Sequence, residues 1–142
     1  DIQDGTINAG ESVTVGIDLE NPEVMVAGFQ FEIVDWPNYL LAIDIQTTER
    51  TEGWSMFFNE QEDGSIILVG FDMSGAGVGY GTGSIAELTY QSTGIYSTNI
   101  QLSIVAENSV LSDEDAGPVL FTAYPGNIEV VGSFKRLYRG FC

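Results

Sequence analysis

Twenty-one carboxylates and no histidine define the side-chain chemistry open to this 142-residue chain. Without histidine, Ser-His and Cys-His nucleophilic pairs and His-ligated metals are excluded. The single cysteine is Cys142, so no intrachain disulfide can form and the fold must be held by its core. What remains is oxygen chemistry. The run Asp113-Glu114-Asp115, with Glu107 nearby, has the ligand type calcium prefers. It lacks the alternating Asp spacing, the central Gly and the closing Glu of a calcium loop, so it reads as a solvated turn. Carboxylate pairs for glycoside hydrolysis need a cleft between them, and no acid here falls in a recognisable motif. The glycine-rich stretch 75–83 has neither the Lys-Ser/Thr nor the following helix of a phosphate loop, and reads as a flexible crossover. These residues predict a protein that is not an enzyme.

Charge narrows the partners. The formal net charge is −17, and of the four Lys and Arg residues three (Lys135, Arg136 and Arg139) lie in the last ten positions. The body through Gly132 therefore holds one cation, Arg50, and repels phosphate backbones and anionic lipid. Nucleic acid and membrane are not expected as partners. No apolar run approaches the roughly 20 residues that span a bilayer, and no charged-then-apolar leader opens the chain. The expectation is one soluble domain over residues 1–132. Residues 133–142, SFKRLYRGFC, form a basic aromatic linker, tail or remnant, or else a segment that docks on the acidic body.

The elements that must position any site are strands. Val13 to Leu19 alternates cleanly and stops at Asn21-Pro22, and residues 26–40, VAGFQFEIVDWPNYL, follow. Tyr39 to Ile45, Trp54 to Phe58 and Ser65 to Phe71 come next, with Asp63-Gly64 as the hairpin signal before the third. Ser84 to Tyr90 places Ala86, Leu88 and Tyr90 on one face. Ile100, Leu102 and Ile104 alternate in the following strand, and Val119 to Ala123 and Asn127 to Val131 close the series. Short strands with regularly spaced turns predict an all-β, antiparallel two-sheet sandwich.

Within 26–40, alternation puts Ala27, Phe29, Phe31 and Ile33 on one side and Val26, Gly28, Gln30, Glu32 and Val34 on the other. The aromatic side belongs in the core, each buried residue contributing roughly 1.5–3 kcal/mol. Asp35 to Asn38 turns the chain at Pro37, and Leu40 returns to the core. The other side carries Gly and Gln where a plain solvated strand would carry Thr, Lys or Glu. A small residue beside an amide leaves a trough that another backbone can approach.

The succession AGESVTVGIDLEN, VAGFQFEIVDWPNYL, DGSIILVGFD, GTGSIAELTY and PGNIEVVG resembles the cohesin family over residues 7–132. Cohesins are the dockerin-receptor modules of cellulosomal scaffolds. The resemblance implies a nine-stranded β-sandwich of jelly-roll topology, and a non-catalytic module that holds a dockerin-bearing protein on one sheet face. The module itself would need no cofactor, the calcium belonging to the dockerin. The setting implied is extracellular or cell-surface polysaccharide degradation, with the module a monomer or weak homodimer. Carried over position by position, the partner-binding residues are Gly28, Gln30, Glu32, Asn59, Leu68, Gly70, Asp72 and Met73. The best-known cohesin subclass has Asn and Asp where this chain has Gly28 and Gln30, so its charge-assisted contact is absent here. The alternative is a carbohydrate-binding module of the same fold. That needs a coplanar row of exposed Trp or Tyr, whereas Trp36 reads as a turn residue and Phe57 and Phe58, after Trp54, read as core.

Overall fold

The computed structural model describes residues 1–74, 77–93 and 96–132; the basic tail 133–142 lies outside them. Among the described residues the regular structure is β apart from two short 3-10 turns. The strands are β1 (Gly5–Asn8), β2 (Ser12–Asn21), β3 (Val26–Trp36), β4 (Leu40–Gln46), β5 (Ser55–Glu60), β6 (Ile66–Phe71), β7 (Gly81–Ser92), β8 (Thr98–Ile104), β9 (Val110–Asp113), β10 (Pro118–Val119) and β11 (Gly126–Val131). They form an eight-stranded sheet, ordered β1-β11-β8-β3-β6-β5 with β9 and β10 attached, and a three-stranded sheet, β2-β7-β4. This is the predicted two-sheet sandwich.

Long β3 organises the larger sheet. β6 runs along one edge from Gly28 to Ile33, while the other edge is shared by β9 (opposite Val26 to Gln30) and β8 (opposite Ile33 to Trp36). The pairing is antiparallel except that β1 runs parallel to β11, joining the two ends of the body. β1 and β9 carry no strand pattern of their own. Their partners impose extension on them. The strand anticipated over Val119 to Ala123 is reduced to the short β10, and Leu120 beyond it is 99% exposed.

The core lies between the sheets. Phe29 stacks on Phe31 at 4.8 Å between ring centroids and on Trp54 at 6.1 Å, and Phe121 meets Phe31 edge-on at 6.0 Å. Ile33, Leu40, Ala86, Leu88, Tyr90, Ile100 and Leu102 are buried as the alternation requires. Val26 is an exception to the expected parity: the register shifts between Val26 and Gly28, and this bulge turns Val26 into the core at 0% exposure.

Two polar anchors fix the loops. At the β3–β4 turn the Leu40 amide donates to Asp35 Oδ2 at 2.9 Å, and the Asn38 side chain, with its nitrogen toward Asp35, donates to both carboxylate oxygens at 3.2 Å. Arg50, the body's lone cation, donates to the carbonyl oxygens of Leu19 (2.7 Å), Gly83 (2.9 Å) and Gly79 (3.1 Å) and to Asn21 Oδ1. Its guanidinium clasps the ends of β2 and β7 and is committed within the fold.

Candidate functional site: the outer face of the large sheet

Register determines which side chains share the outer face. Across β3, β6 and β5, Gly28 lies beside Phe71 and Phe71 beside Ser55. The next row is Gln30, Val69 and Phe57, and the third is Glu32, Ile67 and Asn59. β9 extends the face with Ser112 next to Gly28 and Val110 next to Gln30. At about 4.8 Å between strands, the central row from Phe57 to Val110 spans roughly 14 Å, slightly wider than a helix with its side chains. Phe57 and Val110 are 48% and 47% exposed, and Phe57 packs edge-on against Phe71 at 6.3 Å.

The predicted β3 residues are brought together here. Gln30 is exposed at the centre, and Gly28 opens a shallow place beside it. A Cβ on Gly28 would meet nothing closer than the Gly70 oxygen at 3.5 Å, so the space above is free. Glu32 is half-buried, with Oε2 accepting from Asn108 Nδ2 at 2.7 Å. Asn59 is exposed on the same face.

Leu68 and Gly70 do not face outward. Leu68 is 0% exposed and lies beside Phe31; Gly70 is buried beside Phe29. The reason is packing: a Cβ on Gly70 would sit 2.5 Å from Phe29 Cζ, so the glycine makes room for the ring. The outward residues of β6 are therefore Ile67, Val69 and Phe71. Phe57 likewise corrects the expectation of a core residue. Trp54, Met56 and Phe58 take the inward positions and leave Phe57 outside. That same alternation, Trp54-x-Met56-x-Phe58, is the pattern from which Phe57 could have been found.

Asp72 and Met73 sit just past the end of β6. Asp72 Oδ1 accepts from the Ser74 hydroxyl at 2.7 Å and the Ser74 amide at 2.9 Å, and Oδ2 accepts from the Gly77 amide at 2.9 Å. These bonds, the Ser74 hydroxyl first, hold its carboxyl below the usual value, so Asp72 shapes its loop. Met73 is 77% exposed at the rim. In the acidic turn, Asp113 Oδ1 accepts from the Asp115 and Gly117 amides at 2.9 and 2.8 Å, which makes that carboxylate a turn cap. Among the described residues no His, Cys, Asp and Glu group could hold a metal ion.

Two sheets, a β3 shared by β6, β8 and β9, and a parallel β1–β11 closure define an architecture that can be compared with known proteins. No protein-family model and no curated relative matches the sequence. Solved structures do. The sixth cohesin of Acetivibrio cellulolyticus scaffoldin B, in complex with a dockerin, is 20% identical with a TM-score of 0.75, over 91% of this chain and 95% of that one. A non-cellulosomal cohesin from the archaeon Archaeoglobus fulgidus is 17% identical with a TM-score of 0.76, over 97% and 94%. A type I cohesin of Clostridium thermocellum, Coh-OlpC, solved with a dockerin, is 18% identical with a TM-score of 0.73, over 92% and 91%. The chain has the cohesin fold. Identity at this level establishes architecture, and the jelly-roll sandwich expected over 7–132 is what the matched structures share with this chain.

Proposed function

We propose that this domain is a non-catalytic protein-recognition module that binds a dockerin-like partner on the outer face of its large sheet. The observation that carries the reading is the central row of Phe57, Val69, Gln30 and Val110, an apolar strip interrupted by one amide. Partly exposed aromatic and aliphatic side chains that converge on one face supply the buried anchors an interface requires. The amide fixes register by hydrogen bonding, and Gly28 lets a helix backbone come close. Two of the structural neighbours described above were solved as cohesin–dockerin complexes, which supports the same class of partner here.

The interface residues under this reading are Gly28, Gln30, Glu32, Asn59, Asp72 and Met73, as the sequence suggests, joined by Phe57, Ile67, Val69, Phe71 and Val110. Leu68 and Gly70 act beneath the face. No cofactor is required of this chain, and calcium belongs to the partner's loops. The module works in an extracellular or cell-surface assembly for polysaccharide degradation. Calorimetric titration against calcium-loaded dockerins tests it. Saturable binding that is lost on chelation and in Gly28→Arg supports the reading, whereas a Gly28→Arg variant binding as tightly as wild type shows the face to be wrong.

A further inference from the structure

The outer face of the large sheet does not end with the apolar strip. β3 continues through Val34 to Trp36, and alternation leaves Trp36 pointing out on the same side as Gln30. Three strand intervals of two residues separate them, roughly 20 Å. Trp36 closes β3 at 75% exposure and is not tucked into the turn that follows it. Trp54, the other tryptophan, is 8% exposed.

The neighbours of Trp36 are amides. Gln101 on β8 lies directly beside it, and Asn127 on β11 lies beside Gln101. Both are exposed, and Asn127 Nδ2 donates to Asn99 Oδ1 at 3.4 Å, linking a third amide to the group. The Asn127 backbone amide donates to Asp4 Oδ1 at 2.8 Å, which pins this part of β11 to the N-terminal segment. The row Trp36-Gln101-Asn127 crosses three strands, about 10 Å, and its side chains carry no charge on a chain whose net charge is −17.

An exposed indole at the end of a strand offers a flat apolar platform on which a ligand can stack. Amides beside it can each donate and accept in one plane. That combination matches a neutral ligand with an apolar C–H face and a rim of hydroxyls. A pyranose ring with equatorial hydroxyls has this shape, and a disaccharide unit has this length. An anionic ligand would be repelled by the surrounding carboxylates, and an apolar one would leave the amides unpaired.

We infer that Trp36, Gln101 and Asn127 form a subsite for a neutral oligosaccharide, separate from the protein-binding strip on the same sheet face. Trp36 provides the stacking platform, and Gln101 and Asn127 bond the hydroxyls. Trp36 lies roughly 20 Å along β3 from Gln30 and roughly 13 Å from Glu32, a separation that allows both ligands at once.

The test is titration of the full chain with cellohexaose and xylohexaose, followed by tryptophan fluorescence. Because Trp54 is buried, a saturable change reports Trp36. Binding of either hexasaccharide, weakened about tenfold or more in Trp36→Ala and less in Gln101→Ala, with Gly28→Arg binding sugar as wild type, is the expected result. No response to either sugar at millimolar concentration overturns the inference, as does a response that Trp36→Ala leaves unchanged. Loss of dockerin binding in Trp36→Ala without any sugar response would make Trp36 part of the protein interface and also overturn it. The two readings fail separately, since Gly28→Arg affects only the strip.

Discussion

On the outer face of the three-stranded sheet the central row is Thr14, Thr89 and Asp44; on the outer face of the large sheet it is Gln30, Val69 and Phe57. The first face continues with Ser12, Gln91 and Leu41 on one side and Gly16, Glu87 and Gln46 on the other. Its polar groups bond one another: Thr14 and Thr89 share a hydrogen bond of 2.8 Å between hydroxyls, and Gln46 Nε2 donates to Asp44 Oδ2 at 3.1 Å. The second face places Phe57, Phe71, Val69 and Val110 where such pairs would be. Both faces belong to one sandwich with one core, so burial against the other sheet cannot explain the difference. A face lined mainly by Thr, Ser, Gln, Glu and Asp is suited to water, and a face of partly exposed rings is suited to a partner.

The largest expected effect separates the two sides of β6. Leu68→Ala removes a side chain with 0% exposure and is expected to cost about 2–5 kcal/mol of stability, read by denaturant unfolding. Val69→Ala, one residue along and outward, is expected to alter stability far less. Equal costs at the two positions would contradict the assigned parity. Gly70→Ala forces a methyl against the Phe29 ring and is expected to lose about 1–3 kcal/mol.

Next comes the contrast in binding. Gly28→Arg is expected to reduce dockerin affinity on the order of 100-fold with an unchanged melting temperature, and Phe57→Ala by roughly tenfold. Gln91→Arg, the equivalent insult on the other face, should leave affinity unchanged. Calorimetry on the three variants sharpens the comparison, and a comparable loss from Gln91→Arg would erase it.

How far these faces could be read in advance depended on the pattern of each strand. β3 alternates aromatic with polar, so Phe29, Phe31 and Ile33 and the outward Gln30 were legible. β6, Ile66-Ile67-Leu68-Val69-Gly70-Phe71, is apolar throughout, and period-two reasoning has nothing to act on. Its parity is set by the register with β3, where the Phe29 ring requires a glycine opposite. Local sequence does not contain that pairing. Pro37 suggests a turn that starts at Asp35, whereas β3 runs to Trp36 before turning. β1 was invisible because its extension comes from β11.

A smaller effect is expected from pH. Burial pushes the Asp35 carboxyl above its ordinary value, against the opposing hydrogen bonds from the Leu40 and Tyr39 amides and the Asn38 side chain. The folded state then holds this proton more tightly than the unfolded chain. Its contribution is fully present below the ordinary carboxylate value and is lost as pH rises through the elevated one. Asp35→Asn keeps an oxygen for the Leu40 amide and removes the ionisation. Thermal melts across that acidic window should be flatter for the variant, and identical pH profiles would sink the assignment.

The smallest effect is expected where the solvated face looks most ordered. Thr14 and Thr89 form a cross-strand pair with a short hydroxyl contact, which could be taken for a site. Exposed pairs of this kind contribute about 0.2–1 kcal/mol, because water replaces whichever hydroxyl is lost. Thr14→Val and Thr89→Val should each cost no more than that. The double variant should cost no more than the sum of the two, since water satisfies whichever hydroxyl remains. Neither dockerin nor hexasaccharide affinity should change in any of the three. A measurable loss of either would mean that both outer faces bind, and that the contrast between a solvated face and a partner-seeking one does not hold for this sandwich.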